Sequence, residues 1–137
     1  MDVNLAVLAD FASITREGKL NILGIFDQIS PPSLPFALPI FYVVVTYSAN
    51  PAEFDMVKRV NIRLMTEDGG GPLLQLEQEM TIPRPPRPGM RSTINQVNAI
   101  MGFPFQEPGT HEFAILIDGQ TAGGIPLHVI APPEATR

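Results

Sequence analysis

The sequence predicts an all-β protein, a single β-sandwich of seven to nine mostly antiparallel strands with immunoglobulin-like or C2-like Greek-key connections. Three observations predict it. Apolar residues alternate with a period of two in several short runs. Fifteen prolines and eleven glycines separate those runs, and no segment carries a sustained helical period. With 137 residues, 45% of them hydrophobic, the chain has the size of one domain, so we predict one sandwich domain spanning residues 1–137.

The first third of the chain predicts a hairpin followed by a crossing between sheets. The strand-like runs "NLAVLADFASIT" and "KLNILGIFDQI" are joined by "REG", where Gly18 can supply a positive φ. The proline-rich segment "SPPSLPFALP" then predicts an extended connection from one sheet to the other. The next run, "IFYVVVTY" at 40–47, is apolar on both faces, which is typical of a strand in the middle of a sheet and covered on both sides.

Two later runs alternate cleanly. In "KRVNIRLM" the residues Val60, Ile62 and Leu64 face inward, and in "LLQLEQEMTI" leucines, Met80 and Ile82 alternate with Gln, Glu and Thr. The run "STINQVNAIM" has a capping-box register that permits a helix, but its alternation and the prolines that follow favour a strand.

The C-terminal part predicts a second hairpin. Phe113, Ile115 and Ile117 alternate with other residues, a turn follows at "DGQTAGG", and "IPLHVI" alternates again. The two predicted hairpins and the separate strands between them give the seven to nine strands of the predicted sandwich.

Charge and composition restrict the function classes. A net charge of −5 and a pI near 4.9 argue against nucleic acid and anionic membranes as partners, because both require a positive field. The absence of cysteine excludes disulfides, thiolate nucleophiles and cysteine-ligated metals. Asp2 stands where a signal peptide needs a basic residue, and Asp10 interrupts a short apolar run, so we predict a cytoplasmic protein.

The segment "TIPRPPRPGMR" is the most unusual in the chain. It can be a plain connection between sheets, a polyproline ligand for an aromatic groove of SH3 type, or an arginine cluster that receives a phosphate or carboxylate. The candidate interaction loop consists of Arg84, Pro85, Pro86, Arg87, Pro88 and Arg91.

No catalytic constellation is present in the sequence. His111 shares the inward parity of Phe113 and is expected to be a strand-end histidine with one hydrogen bond, while His128 is expected on the surface. The serines have no G-x-S-x-G frame, and "GGGP" is not followed by the lysine of a phosphate-binding loop. A calcium site is conceivable from carboxylates at strand ends and in turns, namely Asp10, Asp27, Asp68 and Asp118. We nevertheless predict no catalytic residue, no cofactor and no metal site.

A family resemblance accompanies this interpretation. The segments "ADFASITREGKLNILGIFDQI", "PPSLPFALP", "IFYVVVTY", "EPGTHEFAILIDG" and "IPLHV" together resemble a family of short bacterial all-β proteins of unknown function. The resemblance extends over nearly the whole chain and implies one complete domain. It implies no activity, and it transfers no site residue.

Three functional hypotheses follow. The first is a non-enzymatic interaction or structural module whose sheet edges or loops contact another protein or a second copy of the chain. The second is a sandwich that binds a small molecule, carbohydrate or metal, with ring faces from Phe41, Tyr42, Tyr47 and Phe103. The third is an enzyme with a dispersed site, such as His111 with Glu112 or Asp118.

Overall fold

The computed structural model describes residues 1–133 and is all-β. It contains one short 3₁₀ turn, Pro51–Glu53, and eleven strands. The strands are β1 (Asp2–Ile14), β2 (Leu20–Phe26), β3 (Gln28–Ile29), β4 (Phe36–Ala37), β5 (Ile40–Ala49), β6 (Val57–Thr66), β7 (Leu74–Thr81), β8 (Ser92–Met101), β9 (Pro104–Phe105), β10 (Gly109–Ile117) and β11 (Gln120–Val129).

These strands form three sheets. The four-stranded sheet has the order β2-β1-β5-β8, the five-stranded sheet has the order β3-β11-β10-β6-β7, and β4 pairs with β9 in a two-stranded sheet. All neighbouring strands are antiparallel except β3, which runs parallel to β11. The two larger sheets therefore each have two open edges, β2 and β8 in one and β3 and β7 in the other.

One hydrophobic core joins the two larger sheets. Alternate residues of β5, including Phe41, Val43 and Tyr47, belong to the same buried cluster as Leu64 of β6 and Phe113 of β10. The rings of Phe41 and Phe113 lie 6.3 Å apart in an edge-to-face arrangement that bridges the two sheets. The two-stranded sheet also contributes to the core, because Phe105 of β9 is fully buried in this cluster.

The number and grouping of strands differ from the prediction. We expected seven to nine strands in one sandwich, and the structure has eleven strands in three sheets. Eight strands have seven or more residues, while β3, β4 and β9 have two residues each. Such short strands lie in connecting segments with prolines nearby, where two residues are too few to create a readable alternation.

The C-terminal hairpin turn is also shorter than predicted. Ile117 pairs directly with Gln120, so the loop is the two residues Asp118 and Gly119, with φ values of 49° and 81°. An Asp-Gly pair with positive φ at both positions matches the twist of the flanking strands. The following "QTAGG" belongs to β11, although its glycines suggested a longer turn.

The remaining strand predictions are confirmed. The N-terminal hairpin turns at Gly18, whose φ is 84°, and "IFYVVVTY" lies within β5, between β1 and β8. The segment Ser92–Met101 is a strand, as the alternation indicated. One side chain differs from the expectation, because Asn61 lies on the outward side of β6 and is nevertheless buried beneath Gln75 and Glu77.

Among residues 1–133, no helix has the length and apolar character needed to cross a membrane.

Candidate functional site

The proline–arginine loop crosses from the five-stranded to the four-stranded sheet, as its composition indicated. It leaves β7 at Thr81 and enters β8 at Ser92. Arg84 donates from Nε to Asp55 Oδ2 at 2.7 Å, and Arg91 donates from Nη2 to Asp2 Oδ2 at 2.8 Å. Because these arginines are paired with different carboxylates, their forks do not converge on one anion position.

The rest of the predicted interaction loop is open to solvent. Arg87 and Pro88 are exposed, Pro86 is exposed, and Pro85 is half-buried. The ion pair of Arg84 raises the pKa of its guanidinium through the hydrogen bond and charge of Asp55. The loop therefore offers an exposed surface whose role as a ligand for another protein stays a prediction.

We expect replacement of Arg84, Arg87 and Arg91 by Ala to change the free energy of unfolding by no more than about 1 kcal/mol, because exposed ion pairs contribute little. Urea denaturation of the triple variant measures this directly. Asp55→Ala, which removes the acidic partner of Arg84 while keeping the loop, is the matched control. A loss of several kcal/mol would show that the loop fastens the two sheets together.

The two histidines do not form an exposed catalytic arrangement. His111 is 3% exposed, with Nδ1 at 3.0 Å from the carbonyl oxygen of Gly109 and its ring edge-on to Phe105. This agrees with the expected strand-end histidine with one hydrogen bond. His128 is half-buried rather than fully on the surface, with Nδ1 at 3.1 Å from Thr110 Oγ1.

The strand geometry separates the carboxylates that were considered as partners of His111. Glu112 follows His111 in β10, so the two side chains point to opposite faces of the sheet. Asp118 lies beyond the other end of β10, roughly 20 Å away along the strand. The dispersed pairs that we considered are therefore not brought together.

A cavity lined by both polar and apolar residues adjoins His111. It has a volume of about 430 Å³ and is lined by residues of the β6–β7 turn and of the segment around β9: Thr66, Leu73, Phe103, Pro104, Gln106, Glu107 and His111. This volume lies within the range of small-molecule sites. Of the four rings considered for ligand contacts, Phe103 lines this cavity, while Phe41 and Tyr47 are buried in the core.

The four candidate calcium ligands are dispersed. Asp10 lies within β1 instead of at a strand end. Asp68 accepts hydrogen bonds from Thr66 Oγ1 and the Gly70 amide, which lower the pKa of its carboxyl, and Asp118 accepts one from the Arg59 amide at 2.9 Å. Within the described part of the chain, no three His, Asp or Glu residues are grouped as metal ligands would be.

The most distinctive surface is the apolar centre of the outward side of the four-stranded sheet, which we call the apolar face. The same side continues beyond it to Asp2, Ser13, Asn21, Ser48 and Thr93 at the ends of the strands. Residues directly opposite each other in the strand register share this side, for example Leu23 with Phe11 and Ile40 with Met101. The apolar face consists of Leu5, Val7, Ala9, Phe11, Leu23, Ile25, Ile40, Tyr42, Val44, Thr46, Asn95, Val97, Ala99 and Met101.

This face is both hydrophobic and uncharged. Met101, Leu23 and Ile25 are 73%, 66% and 61% exposed. Phe11 is also exposed, and its ring lies 5.6 Å from that of Tyr42. None of the fourteen positions is Asp, Glu, Lys or Arg, in a chain that is 17% charged. Half of the twelve exposed large hydrophobic residues within residues 1–133 belong to this one face.

The outward side of the five-stranded sheet has the opposite character. Arg59 of β6 forms an ion pair with Glu79 of β7 at 2.8 Å, and Asn61 donates to Gln75 and Glu77. Glu77 and Glu79 lie on the edge strand β7, and charged residues on an edge strand discourage association of sheets. By contrast, the edge strand β8 contains no charged residue and no proline over its ten residues.

Sequence reasoning did not identify the apolar face. It attributed the two-sided apolar run of β5 to burial on both sides, and Val43, Val44 and Val45 are indeed fully buried. The exposed large residues of the face lie instead on β1, β2 and β8 and at Ile40, the first residue of β5. The signal was the run of large apolar residues at outward positions of β1 and β2, namely Phe11, Leu23 and Ile25. Without the strand order, these positions could not be assigned to one surface.

Comparison with known proteins identifies a family of unknown function but no characterised relative. No curated protein matches the chain. A solved structure of Pseudomonas fluorescens alkylpurine DNA glycosylase AlkC, bound to DNA containing an abasic site analog, is similar over 95% of this chain and 30% of that chain, with 9% identity and a TM-score of 0.44. The chain thus spans less than a third of that protein.

The family comparison covers much more of the chain. The model of a family of unknown function, DUF6941, matches residues 4–130, which include every strand from β2 to β11. This match agrees with the family resemblance in the sequence, whose motifs lie in the hairpins and connections. The chain therefore belongs to this family of unknown function.

Proposed function

We propose that this protein is a non-enzymatic interaction module that binds a protein partner through the apolar face of its four-stranded sheet. The observation that carries the proposal is the exposure of large hydrophobic side chains on a face of fourteen uncharged positions. Contiguous exposed apolar patches of this kind mark protein-interaction sites in soluble proteins. The interaction is expected to be dominated by burial of this patch, with no contribution from ion pairs.

The proposal has three further parts. The two larger sheets form a single sandwich with an immunoglobulin-like or C2-like Greek-key order, supported by their common core. The protein acts in the bacterial cytoplasm, and its acidic charge makes nucleic acid and anionic membranes poor partners. The candidate loop of Arg84 to Arg91 adds specificity at one end of the domain rather than the main binding energy.

The test is native mass spectrometry on protein isolated gently from its own host. We expect the wild-type chain in a defined assembly with another polypeptide or a second copy. The double variant Leu23→Glu/Ile25→Glu, which places charges on the apolar face, is expected to be recovered as a monomer. The Arg84/Arg87/Arg91→Ala variant keeps the face and is expected to keep the assembly. A monomeric wild-type chain would contradict the proposal.

A second candidate function is binding of a small molecule, carbohydrate or metal, favoured by the cavity beside His111. The same mass spectra examine it, because a bound metabolite or ion would remain on the wild-type monomer. Gln106→Ala and Leu73→Ala, which enlarge and alter the cavity wall, would then release the bound species. If the monomer carries no additional mass, this candidate is wrong.

A further inference from the structure

We infer that the occupant of the apolar face is a second copy of the chain, so that the protein forms a two-fold symmetric dimer by stacking its four-stranded sheets. This inference rests on the proposed function and specifies the partner at the same surface. In such a dimer the same patch is used by both copies. Three properties of the face support this assignment.

The first property is its charge. The chain carries a net charge of −5, so two copies repel each other over most relative orientations. The fourteen positions of the apolar face hold no charged residue, and Asp2, which continues the same side of the sheet, is already paired with Arg91 at 2.8 Å. The outward side of the five-stranded sheet would instead have to remove charges of both signs from water, among them Arg59, Glu77 and Glu79. The distribution of charge therefore leaves the apolar face as the favourable surface for self-association.

The second property is shape. The sheet register is continuous between β5 and β8, and the single irregularity between β1 and β5 lies near the N-terminus, between Val3 and Leu5. Small and β-branched residues recur across the face, with Ala9 and Val44 fully buried on the two central strands and Val97 and Ala99 on the edge strand β8. Such a surface suits the packing of one sheet on another, in which the two sheets lie about 10 Å apart and their side chains interdigitate.

The third property is size. Four strands about 4.8 Å apart and roughly seven residues long cover about 400 to 500 Å² of flat sheet. Projecting side chains add further accessible surface to this area. Two copies then bury on the order of 1,000 Å², which is the lower end for a specific interface. The face is therefore large enough for a dimer of moderate affinity and does not need additional elements.

The experiment is sedimentation equilibrium on the purified, full chain alone, from about 1 to 200 µM, which covers the range of a moderate-affinity dimer. We expect a dimer of twice 14.9 kDa. Added salt should strengthen the dimer, because it screens the net charges of the two copies while leaving apolar burial in place. A wild-type chain that stays monomeric throughout this range would overturn the inference.

Charge variants locate the interface. Leu23→Glu/Ile25→Glu should weaken dimerisation by at least about tenfold, since the added carboxylates would be buried against each other or against apolar side chains. Gln75→Glu/Thr81→Glu adds the same charge to exposed positions of β7, outside the face, and should leave the dimer intact. Circular dichroism and thermal unfolding confirm that each variant folds. Equal association of the two variants would contradict the assignment to the apolar face.

Mixing two defective variants gives the most specific result. The variant Leu23→Lys/Ile25→Lys should also be monomeric on its own. An equimolar mixture of this variant with Leu23→Glu/Ile25→Glu should form a heterodimer if the lysines of one copy contact the glutamates of the other. The pure wild-type chain could be monomeric while another polypeptide binds it in host preparations. If Leu23→Glu/Ile25→Glu abolishes that binding, the dimer is wrong and the proposed function stands. If neither assembly exists, both are wrong.

Discussion

Replacement of Phe113 by Ala is expected to lower the free energy of unfolding by about 3 to 5 kcal/mol, a large fraction of the total stability of an ordinary domain. Phe113 is 1% exposed, and its β10 position is opposite Leu64 of β6 and Ile125 of β11. Its ring also contacts the other sheet through Phe41. Removing it leaves a cavity at the junction of the two sheets, which the rigid strands cannot close.

Urea denaturation at one fixed protein concentration measures this effect, since any association makes stability depend on concentration. Phe113→Leu keeps most of the volume and should cost clearly less than the change to Ala. Val57→Ala, at an exposed position of β6, should stay within about 0.5 kcal/mol. A Phe113→Ala variant within 1 kcal/mol of the wild-type protein would show that this core contact does not join the sheets.

Replacement of Tyr47 by Phe is expected to cost about 1 to 3 kcal/mol, although it removes only one oxygen. The buried hydroxyl of Tyr47 donates to Gln96 Oε1, and Gln96 Nε2 reaches Gln78 Oε1 of the other sheet at 3.5 Å. Without the hydroxyl, a buried amide oxygen loses its donor. Gln96 is 4% exposed, so an amide oxygen left without a donor at this position costs free energy.

A double-mutant cycle with Gln96→Leu separates the bond from the packing. Each single change leaves one buried partner unsatisfied, whereas Tyr47→Phe/Gln96→Leu removes both and should recover much of the loss. Strict additivity of the two single effects would show that the hydroxyl and the amide do not depend on each other.

Alkaline unfolding gives an independent readout of the same residue. Burial raises the pKa of Tyr47 above its ordinary value of 10.0. Above pH 10 the unfolded chain therefore loses this proton while the folded chain retains it, so the stability that the neutral phenol contributes falls as the pH rises. Tyr47→Phe lacks this contribution and should lose stability less steeply than the wild-type protein above pH 10.

The hydrogen bonds of Tyr47, Gln96 and Gln78 lie on the inward side of the four-stranded sheet, opposite the apolar face. Inward residues of β5 and β8, such as Tyr47 and Gln96, fix the position of the four-stranded sheet relative to the five-stranded one. Outward residues of the same strands, such as Ile40 and Met101, expose an apolar surface to a partner. A rigid surface loses little conformational entropy when it binds, which favours association through a flat patch.

The sequence by itself determined the strand class of nearly every long segment, because a period of two is a local property of adjacent residues. Val60, Ile62 and Leu64 were assigned inward from alternation alone, and all three are fully buried. The sheet-crossing role of the proline-rich segments was likewise predictable, because proline cannot donate to a strand ladder. The Asp-Gly pair in "DGQTAGG" also predicted a turn at Asp118 and Gly119, although not that the turn has only two residues.

Only the tertiary structure decided which surfaces these strands create. Leu23, Phe11, Ile40 and Met101 are far apart in the sequence, and they share one face because β2, β1, β5 and β8 are neighbours in that order. The same assembly separates Arg84 from Arg91, and His111 from Asp118. Strand order and register are set by long-range packing, and a single strand's alternation holds no information about its neighbours. Alternation within one strand therefore predicts which of its residues face the core. The surface that its other residues form depends on which strands lie beside it.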